Sequence, residues 1–317
     1  MKNGNNESEE RHKVRTIFII NPAAGKGSDL DKLEARINSK SAELGISAEI
    51  YYTKSVGDAE RFVRETCAAS EEEKLRFYAC GGDGTVNEVF NGAAGFKLVE
   101  IGIIPIGTGN DFIRNFGERE WFLDIEAQLE GDAIDLDCMK LGDRYAVNLV
   151  NLGFDCAVVE TVANIKRKSW IPSKMAYIAG VLVEFSKMPG AKIKSLTVDG
   201  KKIEKSDLQL CAFANGGFYG GGFHCAPLAQ INDGIMDICI VNRVSRIQFA
   251  TMIGQYKSGT YLESKRIMKL AEYHKCRKAC IEFEGETAFC IDGEIHRGMG
   301  LDIELVPSAF RLVLPKR

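Results

Sequence analysis

Between Arg15 and Pro105 short β-rich apolar runs alternate with helix-like stretches, and this alternation constrains the fold more than any other feature of the chain. Thr16–Ile20, Ala48–Tyr52, Phe77–Cys80 and Ile101–Pro105 have the β-branched and aromatic content of strands, while Leu30–Leu44, Asp58–Ala69 and Val86–Ala93 carry helical periodicity. Strands separated by crossover helices predict a mainly parallel sheet with helices on both faces, an N-terminal three-layer α/β domain. From about Leu141 the pattern changes. Tyr145–Leu149, Lys194–Val198, Leu208–Ala214, Met236–Val241, Ala279–Phe283, Ala288–Ile291 and Leu301–Val306 follow one another with glycine turns. Helical stretches appear only near Lys174–Lys187 and Ile247–Tyr256, which predicts a C-terminal β-sandwich-like domain. A chain of 317 residues with 45% apolar residues can fill two such cores.

Three glycine-rich segments each follow a predicted strand, so a parallel sheet brings all three to its carboxyl edge, where ligands bind. They are Asn21-Pro22-Ala23-Ala24-Gly25-Lys26-Gly27, Gly81-Gly82-Asp83-Gly84-Thr85-Val86-Asn87-Glu88 and Gly107-Thr108-Gly109-Asn110-Asp111-Phe112. Glycine lets a backbone approach a phosphate closely, and the helix that follows supplies amide donors and positive dipole character. Gly81, Gly82, Gly84 and Thr85 make the best cradle. Asp83 is a hard carboxylate where a Mg2+-bound triphosphate needs one, and Thr85 and Thr108 can donate hydroxyl hydrogens to phosphate. One such loop alone is as readily a tight turn; three together point to a nucleotide.

Familiar nucleotide motifs do not describe these loops. A Walker A sequence needs glycine at Ile20 and Ser or Thr at Gly27, and a dinucleotide fingerprint needs a third glycine where Asn87 stands. Forty-one basic against 44 acidic residues give no global field toward nucleic acid or anionic lipid. The polar start, residues 1–13, reads as a disordered tail without the apolar core of a signal peptide, and no window is long and apolar enough to span a bilayer. The expected location is cytoplasmic. Ten scattered cysteines read as reduced thiols, and His274, Cys276 and Cys280 lack the second ligand pair of a zinc site.

The three loops together resemble the diacylglycerol kinase catalytic domain shared by bacterial lipid kinases, sphingosine kinases and ceramide kinases. The similarity continues through Asn215-Gly216, Tyr219-Gly220-Gly221-Gly222, Ala226-Pro227, Asp233-Gly234 and Asp292-Gly293-Glu294; Ala24 stands where many members carry Ser. The resemblance implies an ATP-dependent kinase that phosphorylates a lipid hydroxyl, with nucleotide contacts from Asn21, Thr53, Gly81, Gly82, Asp83, Gly84, Thr85, Val86, Asn87 and Thr108. It also implies that the final strand, near Phe310–Leu314, returns to the first domain, giving domains at 14–140 with 307–317 and at 141–306. A soluble-metabolite kinase related to NAD kinase and a non-catalytic nucleotide- or lipid-binding protein are the alternatives.

Asp292 and Glu294 flank Gly293, and in an extended segment their carboxylates share one side. On the residues alone a hairpin turn with solvated acids is the simpler account, since Asp-Gly is a strong turn dipeptide. The resemblance makes Glu294 the general base and has Asp292 support a Mg2+–water network. It further implies a structural Mg2+ held by the Asp233 carboxylate and the backbone carbonyls of Gln230 and Ile235. Finally, Ile165-Lys166-Arg167-Lys168-Ser169-Trp170-Ile171-Pro172-Ser173-Lys174 combines four cations with an amphipathic aromatic, a composition suited to peripheral contact with an anionic membrane and equally to a solvated helix end. The acceptor lipid and the oligomeric state, a homodimer included, stay open.

Overall fold

The computed structural model describes residues 14–24, 27–107, 109–168 and 173–317. The tail 1–13, Gly25, Lys26, Thr108 and Ser169–Pro172 lie outside the described residues. The chain divides into two compact units, one running to Leu136 and including Ser308–Arg317, the other Asp137–Pro307.

The first unit alternates β1 (Arg15–Ile20), α1 (Gly27–Glu43), β2 (Ala48–Tyr52), α2 (Asp58–Ala69), β3 (Leu75–Cys80), α3 (Asp83–Ala93) and β4 (Val99–Ile104), then α4 (Arg119–Phe122) and α5 (Ile125–Leu129). The pairs β2–β1, β1–β3 and β3–β4 are all parallel. Beyond β4, Leu312 pairs in parallel with Ile101. Strands β1, β3 and β4 read as nearly continuous apolar runs because both faces are covered, whereas β2 at the edge is half-exposed. Phe18, Ile20, Tyr78, Cys80 and Ile104 pack with Leu33 and Ile37 of α1 and with Ile125 and Leu129 of α5. The alternate residues Ile17, Ile19, Phe77 and Ala79 are equally buried on the opposite face. Since β1 lies between β2 and β3, the chain changes direction across the sheet between β1 and β3, which is where loops at the carboxyl edge part to leave room for a ligand.

The second unit takes in most of β5 (Asp132–Leu141), then β6 (Arg144–Ala146), β7 (Leu149–Gly153), α6 (Phe154–Lys168), α7 (Ser173–Lys187), β8 (Ala191–Val198), β9 (Lys201–Ile203), β10 (Asp207–Ala214), β11 (Phe218–Tyr219), β12 (Phe223–His224), β13 (Met236–Asn242), α8 (Arg246–Ser258), β14 (Ala271–Cys276), β15 (Lys278–Ile291) and most of β16 (Glu294–Leu314). Its described pairs are antiparallel, β10 running between β7 and β13. Alternation along β10 serves two cores. Cys211 and Phe213 face a cluster with Val150, Ile238, Ile281 and Ile303, while Leu210, Ala212 and Ala214 face one with Phe154 of α6 and with Phe249 and Met252 of α8.

Antiparallel pairs outnumber parallel ones over the whole chain, and the expected parallel sheet is that of the first unit. Three expectations change. The expected strand Tyr145–Leu149 is two strands, because the amides of Val147 and Asn148 leave the ladder to bind the Asp292 carboxylate. Helix α6 was not expected from the pattern, and β15 is one bulged strand rather than two separate ones.

Candidate active site

In the first unit the three glycine-rich loops are fastened to one another. Asn21 donates from Nδ2 to Thr85 Oγ1 at 2.9 Å and accepts the Ala23 amide at 2.9 Å, which folds the first loop against the second. The Gly107 amide donates to the Gly81 carbonyl at 3.0 Å, tying the third loop to the second. Asp83 Oδ2 accepts the Asn110 amide at 2.9 Å, and Asn110 holds a left-handed φ of 65° there. Arg119 of α4 supports the third loop from behind, donating to the Pro105 carbonyl at 2.6 Å.

Glycine is needed here for loop against loop as much as for a phosphate. A Cβ on Gly107 would stand 2.6 Å from the Gly82 Cα, and one on Gly109 would stand 2.4 Å from Asp83 Oδ2. Helix α3 begins at Asp83 with Gly82 as its N-cap, and no side chain caps it. Its first amides therefore face the carboxyl edge of the sheet, a geometry that accepts an anion. Thr85 is nearly buried and bonded to Asn21, while Val86 and Asn87 turn inward, so contacts from these two would come from backbone. Thr53 follows β2, its amide bonded to the Ile20 carbonyl at 2.9 Å, and is half-buried. The turn after it is held by Glu88, whose carboxylate accepts the Gly57 and Ala59 amides at 2.9 and 3.1 Å and so caps α2 from α3. Thr108 lies outside the described residues.

In the second unit Asp292 and Gly293 form the two-residue turn between β15 and β16, with Ile291 opposite Glu294. Both turn residues have positive φ, 48° and 90°, the type I′ geometry that favours Asp-Gly. The segment is therefore not extended. The acid at its tip is half-buried and bonded to backbone: Asp292 Oδ2 accepts the Val147 amide at 2.8 Å, and Oδ1 accepts Asn148 and Leu149 at 3.0 and 2.8 Å. Three charge-assisted bonds tie this carboxylate to the backbone, so it anchors residues 147–149. Asn148, so placed, donates to the Phe218 carbonyl at 2.8 Å, and Asn215 donates to the Asp137 and Val147 carbonyls at 2.7 and 3.1 Å. Glu294 opens β16 half-buried.

The set expected to hold a structural Mg2+ does not fit one. Asp233 Oδ1 accepts the Ile235 amide at 3.1 Å, Oδ2 faces the Lys275 ammonium at 3.6 Å, and Gln230 is exposed. Among the described residues no group of three or more His, Cys, Asp or Glu could hold a metal. Sequence reading missed Arg119, Asn148, Asp137 and Lys275, which act on backbone or on single acids and leave no motif. Asp155, at the start of α6, is held up at about 6 by burial, against the pull of the Tyr219 hydroxyl that donates to its Oδ2.

Two family models match this chain. Residues 15–141 match the family described as diacylglycerol kinase catalytic domain, and residues 148–314 match the YegS C-terminal NAD kinase beta sandwich-like domain. A probable lipid kinase YegS-like protein of Chromohalobacter salexigens is 30% identical over 96% of this chain and 94% of its own length. A diacylglycerol kinase of Bacillus subtilis is 27% identical over 88% of this chain and 89% of its own. Among solved structures, a putative diacylglycerol kinase from Bacillus anthracis superposes with a TM-score of 0.74 at 24% identity, covering 96% of this chain and 95% of that one, a likeness of fold.

Proposed function

We propose, for a chain that belongs to the diacylglycerol kinase catalytic-domain family of lipid kinases, that it transfers the γ-phosphoryl group of ATP to a hydroxyl of diacylglycerol or a similar lipid. The observation that carries this is the uncapped N-terminus of α3, held at the carboxyl edge by loops on either side. Amides there suit the phosphates of a nucleotide, and Asp83 beside them suits the Mg2+ that accompanies ATP and neutralises charge during transfer. Glu294 is assigned as the general base that accepts the proton of the acceptor hydroxyl.

Contact with the lipid surface is assigned to α7 and the end of α6. Met175, Ile178 and Leu182 are more than half exposed along one stripe of α7, and Lys166 and Arg167 are exposed at the end of α6. Apolar side chains beside cations suit an anionic interface. The part of the basic segment at Ser169–Pro172, with Trp170, lies outside the described residues. No helix among the described residues is long and apolar enough to cross a membrane.

The test is transfer from labelled ATP to a panel of lipids in mixed micelles with Mg2+, with NAD as a soluble acceptor because of the second family match. Label in one lipid, lost in Glu294→Gln and Asp83→Asn, supports the assignment. Label in NAD alone keeps a kinase and removes the lipid. Wild-type activity in Glu294→Gln removes the base. Vesicles of phosphatidylglycerol that pellet the wild type and the Ile178→Asp, Leu182→Asp variant equally well would remove α7 from the lipid contact.

A further inference from the structure

Beside Asp233, the one side chain on which the family resemblance implies a divalent cation, this chain has placed an ammonium, and we infer that Lys275 is the built-in cation of the turn at 230–237. Its Nζ donates to the Leu228 carbonyl at 3.0 Å and to Asp237 Oδ2 at 3.2 Å, and stands 3.6 Å from Asp233 Oδ2. These are one carbonyl and two carboxylates, the mixture of oxygens a hard cation takes. An ammonium, with three donors and one compact charge, satisfies the same set without shedding a tightly held water shell.

The site is fixed from both sides. Asp237 of β13 lies directly opposite Lys275 of β14, so the register of an antiparallel pair brings the charges together. The Asp237 side chain is fully buried, and its Oδ1 has no hydrogen-bond partner among the described residues, so Lys275 is the cation that compensates it. Beneath the turn, nearly buried Asp137 accepts the Gly234 amide at 2.7 Å, and Gly234 takes the left-handed φ of 74° that the corner requires. Asp233 closes the turn on itself through Ile235. A Mg2+ ion wants six oxygens at about 2.1 Å in near-octahedral array. Here one oxygen of Asp233 is committed to its own backbone, and the other faces a positive charge that would repel the metal. The consequence is a turn that needs no divalent ion, leaving the nucleotide as the source of any Mg2+ requirement.

This inference is read from binding and stability, so it stands or falls apart from the kinase assignment. The full chain, purified without any chelator and passed through a desalting column, is assayed for Mg and Ca by elemental analysis. Its melting point is then recorded with EDTA and with millimolar MgCl2, beside Asp233→Asn and Lys275→Met. The wild type is expected to carry no stoichiometric divalent metal and to melt within about 1 °C under both conditions, as for a protein with no metal-linked stability. Lys275→Met is expected to melt several degrees lower in EDTA, about what loss of a buried acid's partner implies, and to recover with MgCl2 as the metal enters the emptied place. One equivalent of metal in the wild type that is lost in Asp233→Asn would overturn the inference. So would an unchanged melting point in Lys275→Met, or a lowered one that MgCl2 does not raise. If Lys275→Met does not fold, the wild-type and Asp233→Asn measurements decide alone.

Discussion

The glycine loops of the first unit and the Asp-Gly turn of the second both hold backbone in an unusual place, and they do it by opposite means. Around Gly82, Gly107 and Gly109 the fold works by leaving atoms out, since a methyl at Gly107 or Gly109 would overlap its neighbour. Around Asp292 it works by adding a charge, which collects three amides that no strand ladder satisfies. The first device tolerates no volume. The second tolerates isosteric change in shape but not loss of charge.

The sharpest break would come from Glu294, two residues from Asp292 and assigned a chemical role where Asp292 has a positioning one. Glu294→Gln is expected to lower kcat by about 100- to 10,000-fold, the usual worth of a general base, with the melting point unchanged. If its melting point falls as far as that of an Asp292 variant, the two acids are doing the same job and the division fails. Asp292→Asn keeps the shape, loses the charge and turns an NH2 group toward amide donors. Urea denaturation should show a loss of about 3 kcal/mol, the range for a charged group bonded to buried partners. A loss under about 0.5 kcal/mol, ordinary for a surface site, would show that residues 147–149 hold themselves.

Gly107→Ala tests the opposite device and should cost about 1–3 kcal/mol, as overpacking does, with weaker ATP binding by calorimetry and no change in the pH dependence of stability. The smallest effect concerns Asp155, an acid of the second unit bonded to a single hydroxyl where Asp292 has three amides. Burial raises its folded pKa to about 6, so between about pH 4 and 6 the folded chain holds a proton that the unfolded chain has released. Stability contributed by the protonated form is therefore present at low pH and declines as pH rises through that window. Asp155→Asn, which keeps an acceptor for Tyr219, should flatten that part of a denaturation profile. An unchanged slope would assign it to other groups.

The parallel part of the fold was open to reading because strands buried on both faces must be apolar throughout, and Thr16–Ile20 and Ile101–Pro105 are. Asp58–Ala69 was legible to the residue for the same reason, its buried positions Val63 and Cys67 lying one turn apart. Helix α6 was not, since Phe154–Lys168 follows the buried strand β7 without an intervening loop, and Asp155 in its first turn is the one signal at its start. In the site, the glycine loops announced themselves, while their fastening did not. Arg119 binds carbonyls, Glu88 caps a helix from another, and Lys275 finds its acids through the register of β13 and β14. Bonds from a side chain to remote backbone depend on topology, which no local pattern carries. Asp292 illustrates the middle case: its residue type predicted the turn, and only the fold revealed which amides the carboxylate serves.

Residues Ser308–Arg317 belong to the first unit, where Leu312 and Val313 are fully buried and the Lys316 amide donates to the Ala127 carbonyl at 2.9 Å. A ribosome delivers Arg15–Leu136 before Asp137–Pro307 and Ser308–Arg317 after it, so the first unit is completed only once the second has been made. Until those residues arrive its sheet has an open edge at β4, and an open edge in a parallel sheet invites pairing with another chain. Newly made protein therefore passes through an interval in which it depends on rapid completion or on chaperones, and a chain without Ser308–Arg317 never leaves it.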